Sequence, residues 1–235
     1  MNYQKYDKVF LILPMQRNRQ SRGQGQNTSA QDLLTDQRYM NDKDPSLLCR
    51  EDLERATETL RSGGLILYPT DTIWGIGCDA TNEEAVRRIY DLKRRADAKS
   101  MLVLVADDWQ IDALVDTPPE IAFDMMDMAI RPITIIFSGA RGVAPSLLAE
   151  DGSLGIRRSR EAFSQALCRR MRRPIVSTSA NLSGDPTPMT FDAICEEIKQ
   201  GVDYIVRYRQ EDKSVAEPSQ IIKLGPGAEV KVIRP

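Results

Sequence analysis

The sequence predicts an α/β domain in which a twisted, mixed β-sheet is flanked by helices. Two features predict it: short apolar runs bounded by Gly and Pro, and amphipathic stretches of helical period that alternate with them along the chain. The 235 residues suffice for one domain with its own core, and 41% hydrophobic with 28% charged residues is ordinary for a globular chain. Disorder throughout and fibrous classes are thereby disfavoured. No internal repeat is visible.

Taken in order, residues 15–45 are rich in Gln, Arg, Asn, Ser and Gly and poor in aromatics, so residues 1–45 read as a disordered extension and 46–235 as the folded domain. Met40, just before the first patterned helix, is an alternative start. From Glu51, Leu53, Ala56 and Leu60 share a helical face that stops at Gly63. Leu65–Tyr68, closed by Pro69, reads as a buried strand delivering the loop Thr70-Asp71-Thr72. Asn82 caps a helix running to Arg95, whose apolar positions Ala85, Val86, Ile89, Tyr90 and Leu92 keep helical spacing. A strand is expected at Met101–Ala106, then helices at Asp107–Val115 and Pro119–Ala129. Further strands follow at Ile133–Phe137 and Leu154–Arg157. A helix at Glu161–Arg170 leads to the strand Ile175–Thr178. The chain closes with a helix at Asp192–Lys199 and short strands near Tyr204, Ile221 and Val230.

The net charge of −2 argues against a surface devoted to nucleic acid, because such binding draws on many cationic contacts to phosphates. Cys49, Cys78, Cys168 and Cys195 are widely spaced and suggest neither a zinc site nor a disulfide framework, which fits a reducing compartment. No apolar run approaches the roughly 18 residues of a membrane span, so no membrane partner and a cytoplasmic location are expected. The chain contains no histidine, which removes Ser-His and Cys-His nucleophile activation, imidazole metal ligation and the commonest general base. Its chemistry must use Lys, Arg, hydroxyls, carboxylates or backbone.

Three constellations are candidates for that chemistry. In YPTDTIWGIGCD a strand end presents Thr70, Asp71 and Thr72, with Gly75 and Gly77 permitting close backbone approach; an ordinary turn explains it equally well. No Walker loop or full dinucleotide fingerprint is present. Lys93 and Arg95 end a helix, where cations suit the macrodipole; as anion receptors, Lys supplies a point charge and Arg a planar fork. The uncharged run Ser177-Thr178-Ser179-Ala180-Asn181 after an apolar strand is a dense donor set, and ligands of α/β sheets gather at strand ends. Arg157 and Arg158 follow another strand, and Arg131 precedes the strand of Thr134. The tract RRMRR at 169–173 reads as a solvated turn or a nucleic-acid patch.

Together YPTDTIWGIGCD, Lys93-x-Arg95, Pro132-Ile133-Thr134, Gly155-Ile156-Arg157 and STSANLSG resemble the YrdC/Sua5 family, the threonylcarbamoyl-AMP synthases, over about Leu53–Ile222 and in its short form. The resemblance implies a nucleotidyltransferase that makes threonylcarbamoyl-adenylate and pyrophosphate from L-threonine, bicarbonate and ATP, with Mg²⁺ accompanying the nucleotide. A partner transferase then moves the threonylcarbamoyl group to N6 of adenosine 37 in tRNA. It further implies that Lys93 and Arg95 bind the triphosphate, that Thr70 and Thr72 line the threonine pocket with Arg157 as a carboxylate or phosphate clamp, and that Thr134, Ser177, Ser179 and Asn181 hold nucleotide and carbamate. Ser219 would close over the nucleotide. No residue is assigned to a metal.

The chain departs from that pattern where Ile130-Arg131 replace Gly-Pro before Pro132, where Ala96 and Ser100 replace prolines, and where Arg158-Ser159 stand in place of the proline expected after Arg157. Two rivals are an RNA-binding protein of the same fold, with tRNA as its partner, and a carbamoyl-adenylate enzyme like the hydrogenase-maturation carbamoyltransferases. The accompanying segments of the second are lacking in this sequence.

Overall fold

A computed structural model describes residues 50–94, 101–214, 218–225 and 229–235. The expected extension, residues 1–45, and Arg95 lie outside them. The described residues form helices α1 (Arg50–Arg61), α2 (Glu83–Leu92), α3 (Asp108–Leu114), α4 (Glu120–Met128), α5 (Ala162–Met171) and α6 (Glu196–Gln200). The strands are β1 (Ile66–Tyr68), β2 (Gly75–Gly77), β3 (Leu102–Val105), β4 (Ile133–Phe137), β5 (Leu154–Arg158), β6 (Ile175–Ser179), β7 (Tyr204–Ile205), β8 (Gln220–Leu224) and β9 (Val230–Arg234).

The strands make one mixed sheet of nine in the order β7-β1-β2-β6-β3-β5-β4-β8-β9. The β3/β5, β4/β8 and β1/β7 pairs are parallel and the others antiparallel. Side chains alternate across a strand, so each strand serves two layers. Val103 and Val105 join Ile89, Ile111 and Phe123 of α2, α3 and α4 in one core. Leu104 joins Leu60, Phe163 and Leu167 of α1 and α5 in the other. Helices therefore cover one face broadly, while on the opposite face α1 and α5 cover the part made by β7, β1, β3 and β6.

Local chemistry explains the boundaries. Gly63 ends α1 at φ +82°, and the Asn82 side chain accepts from the Ala85 amide at 3.1 Å to start α2. That helix stops at Leu92, short of the expected Arg95, and Lys93 is its C-cap. The helix expected over Asp192–Lys199 is broken: a 3₁₀ turn spans Phe191–Ala193 and α6 begins only at Glu196. Ile194, 2% exposed, takes an extended conformation and sinks into the core, and burying its side chain outweighs one more helical turn. Gly75–Gly77, where no strand was expected, is strand β2. A Cβ on Gly77 would lie 2.7 Å from the Tyr68 ring and 2.8 Å from the Val176 carbonyl, so the glycine lets β1 and β6 close on β2 rather than admitting a ligand.

Candidate active site

Where α1 and α5 leave the sheet uncovered, the face becomes the floor of a cleft of about 570 Å³. Alternation builds it. Along β5, Leu154 and Ile156 enter the core, while Gly155 and Arg157 point the other way; along β4, Ile133 and Ile135 enter the core and Thr134 lines the cleft. Ser177 and Ser179 arrive from β6 by the same rule. The Thr70–Thr72 loop, Ser179, Ser219 and Arg234 lie at strand ends, whereas Thr134 and Arg157 project from the sheet face within their strands.

One wall centres on Arg157, whose side chain is 4% exposed. Its Nε lies 3.2 Å from Asp71 Oδ1, and its terminal nitrogens donate to Thr72 Oγ1 at 3.2 Å and Thr70 Oγ1 at 3.5 Å. The Nε and Oδ1 atoms are buried and make no well-aligned hydrogen bond, although they face each other as an ion pair. Thr70 Oγ1 is the hub: it shares a 3.0 Å hydrogen bond with Thr72 Oγ1, accepts from the Thr72 amide and donates to the Ile73 carbonyl at 2.7 Å. The hydroxyls are thus held in fixed positions next to a guanidinium fork.

The second wall is Thr134, Ser219 and Arg234. Thr134 Oγ1 and Ser219 Oγ are 2.9 Å apart, and Arg234 donates to Ser219 Oγ at 3.2 Å and to its carbonyl at 2.8 Å. Burial, together with the Arg157 guanidinium across the cleft, holds Arg234 below the usual guanidinium range. Two cations facing one cavity of hydroxyls suit an anionic ligand. Trp74, 5% exposed, also lines the cavity and packs on Phe191 with ring centroids 4.9 Å apart. Arg234 and Trp74 were not singled out from the sequence; Arg234 closes a short exposed strand, where an arginine reads as solvated.

Lys93 is 1% exposed and does not line the cleft. Its Nζ donates to the Asn181 carbonyl at 2.6 Å and to the Ser179 carbonyl, so it fastens the segment leaving β6. The Asn181 amide donates to the Leu182 and Asp185 carbonyls at 2.9 and 2.8 Å, while its Oδ1 is buried without a partner. Thr70, Thr72, Thr134, Arg157, Ser177, Ser179 and Ser219 therefore meet in one cavity, with Lys93 and Asn181 behind it. The 169–173 tract is largely neutralised in place: Arg169 pairs with Asp107, Arg170 with Glu54 and Arg173 with Asp79. Burial pushes the Cys78 and Cys168 thiols well above their ordinary range, which leaves them unreactive. Among the described residues no group of His, Cys, Asp or Glu is arranged to hold a metal ion, and no helix is long and apolar enough to cross a membrane.

Residues 58–235 match the family model Sua5_yciO_yrdC, described as "Telomere recombination". The chain belongs to the Sua5/YciO/YrdC family. A relative named threonylcarbamoyl-AMP synthase from Xanthomonas euvesicatoria pv. vesicatoria is 35% identical over 176 residues, covering 72% of this chain and 91% of its own. Among solved structures, E. coli YciO aligns with a TM-score of 0.67 at 25% identity, over 77% of this chain and 87% of its own. P. abyssi Sua5 complexed with L-threonine aligns with a TM-score of 0.64 at 25% identity, over 73% of this chain; the match spans 50% of the longer Sua5 chain. The mixed sheet flanked by helices is thus the Sua5/YciO/YrdC fold, and the cleft lies within the matched residues.

Proposed function

We propose that this chain is a threonylcarbamoyl-AMP synthase: it joins L-threonine, bicarbonate and ATP into threonylcarbamoyl-adenylate and pyrophosphate, for transfer to adenosine 37 of tRNA by a partner transferase. The activity named for the Xanthomonas relative and the threonine bound by P. abyssi Sua5 support the reading. The observation that carries it is the pairing of walls across one cavity. Arg157 with Thr70 and Thr72 presents a fork and hydroxyls suited to an amino acid's carboxylate and side-chain hydroxyl. Thr134, Ser219 and Arg234 present donors suited to a nucleotide phosphate.

The chemistry needs placement more than a strong base. The threonine amine attacks the carbon of CO₂ and gives up a proton to solvent, or attacks that of bicarbonate, where a C–O bond breaks and water leaves; either way a carbamate forms. A carbamate oxygen then attacks the α-phosphorus, the bond to the β,γ-phosphates breaks, and pyrophosphate leaves with its electron pair. Holding the amine, carbamate and phosphorus together supplies proximity, and fixed cations stabilise the charge that develops. Ser177 and Ser179, projecting between the walls, are placed to donate to the carbamate. Lys93 acts here by holding the Ser179 and Asn181 carbonyls, with Arg95 assigned to the triphosphate on family resemblance.

Among the described residues the polar lining of the cleft is hydroxyls and two arginines without a carboxylate, and Asp71, beside it, is engaged by Arg157. That donor set fits a Mg²⁺ carried on the phosphates of ATP, where it would offset their charge, with no residue of this chain assigned to it. We assign the chain to the cytoplasm, where ATP and tRNA are available.

The test is pyrophosphate release by the purified chain with ATP, bicarbonate and single amino acids. Release that requires both L-threonine and bicarbonate is expected; release indifferent to either sinks the reading.

A further inference from the structure

In the connection from β7 to β8, the side chain of Arg209 reaches the Thr70 loop. Arg209 donates from a terminal nitrogen to the Thr70 carbonyl at 3.2 Å, while its Nε and other terminal nitrogen grip Asp212 Oδ2 at 2.9 and 2.8 Å. Asp212 in turn accepts from the Ser214 amide at 2.9 Å, which fixes the carboxylate in its turn. The backbone at Arg209 is left-handed, φ +64°. Glycine occupies such a conformation freely, whereas a side chain costs roughly 1 kcal/mol or more. An arginine stands there despite that cost, with every nitrogen of its fork aimed at either the carboxylate or the Thr70 carbonyl.

The Thr70 carbonyl belongs to the residue whose hydroxyl is the hub of the Arg157 wall. The same connection ends at Ser219, which anchors the opposite wall against Thr134. We infer that Arg209 is a positioning residue: it clamps the Thr70 backbone to the β7–β8 connection and thereby sets the two threonine hydroxyls that receive the amino acid. This rests on the reading that the cleft holds threonine. Arg209 does not line the cavity, so its effect reaches the substrate through Thr70.

Three variants separate the guanidinium from the backbone it sits on. Arg209→Gly removes the fork and relieves the left-handed strain, Arg209→Ala removes the fork alone, and Arg209→Lys keeps a cation able to reach one carbonyl. Pyrophosphate release is followed with L-threonine varied at saturating ATP, and the reverse. Losing a charged donor predicts a KM for threonine raised roughly tenfold in the Gly and Ala variants, with the KM for ATP and kcat within about twofold and partial recovery in the Lys variant. A threonine KM left unchanged in Arg209→Gly overturns the proposal, as does a parallel loss in both KM values and kcat, which marks a merely structural role. Amide hydrogen exchange on the substrate-free protein gives a readout independent of activity: the Thr72 amide, bound to Thr70 Oγ1 at 3.1 Å, should exchange faster in Arg209→Gly than in the unaltered chain. Unchanged exchange also overturns the clamp. If the unaltered chain shows no threonine-dependent release, the functional reading fails by itself, and the exchange result still decides the clamp.

Discussion

The wall of Thr70, Thr72, Asp71 and Arg157 is nearly sealed from solvent, its charges included, whereas the wall of Thr134, Ser219 and Arg234 buries its two hydroxyl residues but takes its cation from β9, an edge strand whose five residues are all exposed. The sealed wall has its charges desolvated and paired before any ligand arrives, so it is preorganised and breaks badly when one partner goes. The open wall keeps Arg234 at a sheet edge, where water competes for it, and a ligand would complete what the fold leaves partly solvated. The contrast predicts that removing a charge from the first wall costs stability as well as activity, whereas damage to the second is confined to one substrate.

The largest expected effect is therefore Arg157→Ala. It leaves Asp71 buried and uncompensated, and kcat/KM should fall on the order of a hundredfold or more together with a loss of stability of about 3 kcal/mol. Pyrophosphate release and urea denaturation measure the two. Arg157→Lys should recover little, because one ammonium cannot replace the fork. Lys93→Ala comes next: it strips a donor from the Ser179 and Asn181 carbonyls, so turnover and stability should decline together, the latter by about 1–3 kcal/mol. A variant as stable as the original but inactive would mean that Lys93 acts on the substrate itself.

Thr134→Val should raise the KM for ATP by roughly threefold to tenfold, as expected for one lost hydrogen bond, and leave the KM for threonine alone. Equal rises for both substrates would break the division into two walls. The smallest effect concerns pH. The Ser214 hydroxyl and amide, and then Arg209, draw the Asp212 carboxyl down to about 2 from its ordinary 3.8. A depressed carboxylate contributes stability that is fully present above 3.8 and is lost as pH falls through about 2. The stability difference between the original chain and Asp212→Asn should hold steady from neutral pH down to that upper value and then shrink. A difference that varies between pH 5 and 8 would contradict this.

Much of the fold was legible because its cues are local. The Asn82 cap, the Gly63 stop and the apolar faces of α1 and α2 can each be read from a few neighbouring residues. Strand β2 was not, since Gly-Ile-Gly offers no side-chain alternation and its pairing depends on how closely Tyr68 and Val176 approach. The Asp192–Lys199 helix failed because helical spacing there competes with burial of Ile194, and only tertiary structure shows which wins. Thr70, Thr72, Arg157, Ser177 and Ser179, from stretches far apart in sequence, line one cavity. Arg234 was invisible because its partner Ser219 lies 15 residues upstream across an antiparallel pair. That the cavity lies on the sheet face follows from strand order and from which helices exist, neither of which a linear reading supplies.

The cavity floor holds one more consequence, at Gly155. A Cβ there would sit 3.3 Å from Thr134 Cγ2 and 3.4 Å from Leu102 Cβ, at the tight edge of normal contact. Part of the binding volume thus exists because one residue has no side chain. An alanine at 155 would behave as a one-carbon inhibitor attached to its own receptor, unable to dissociate and indifferent to substrate concentration.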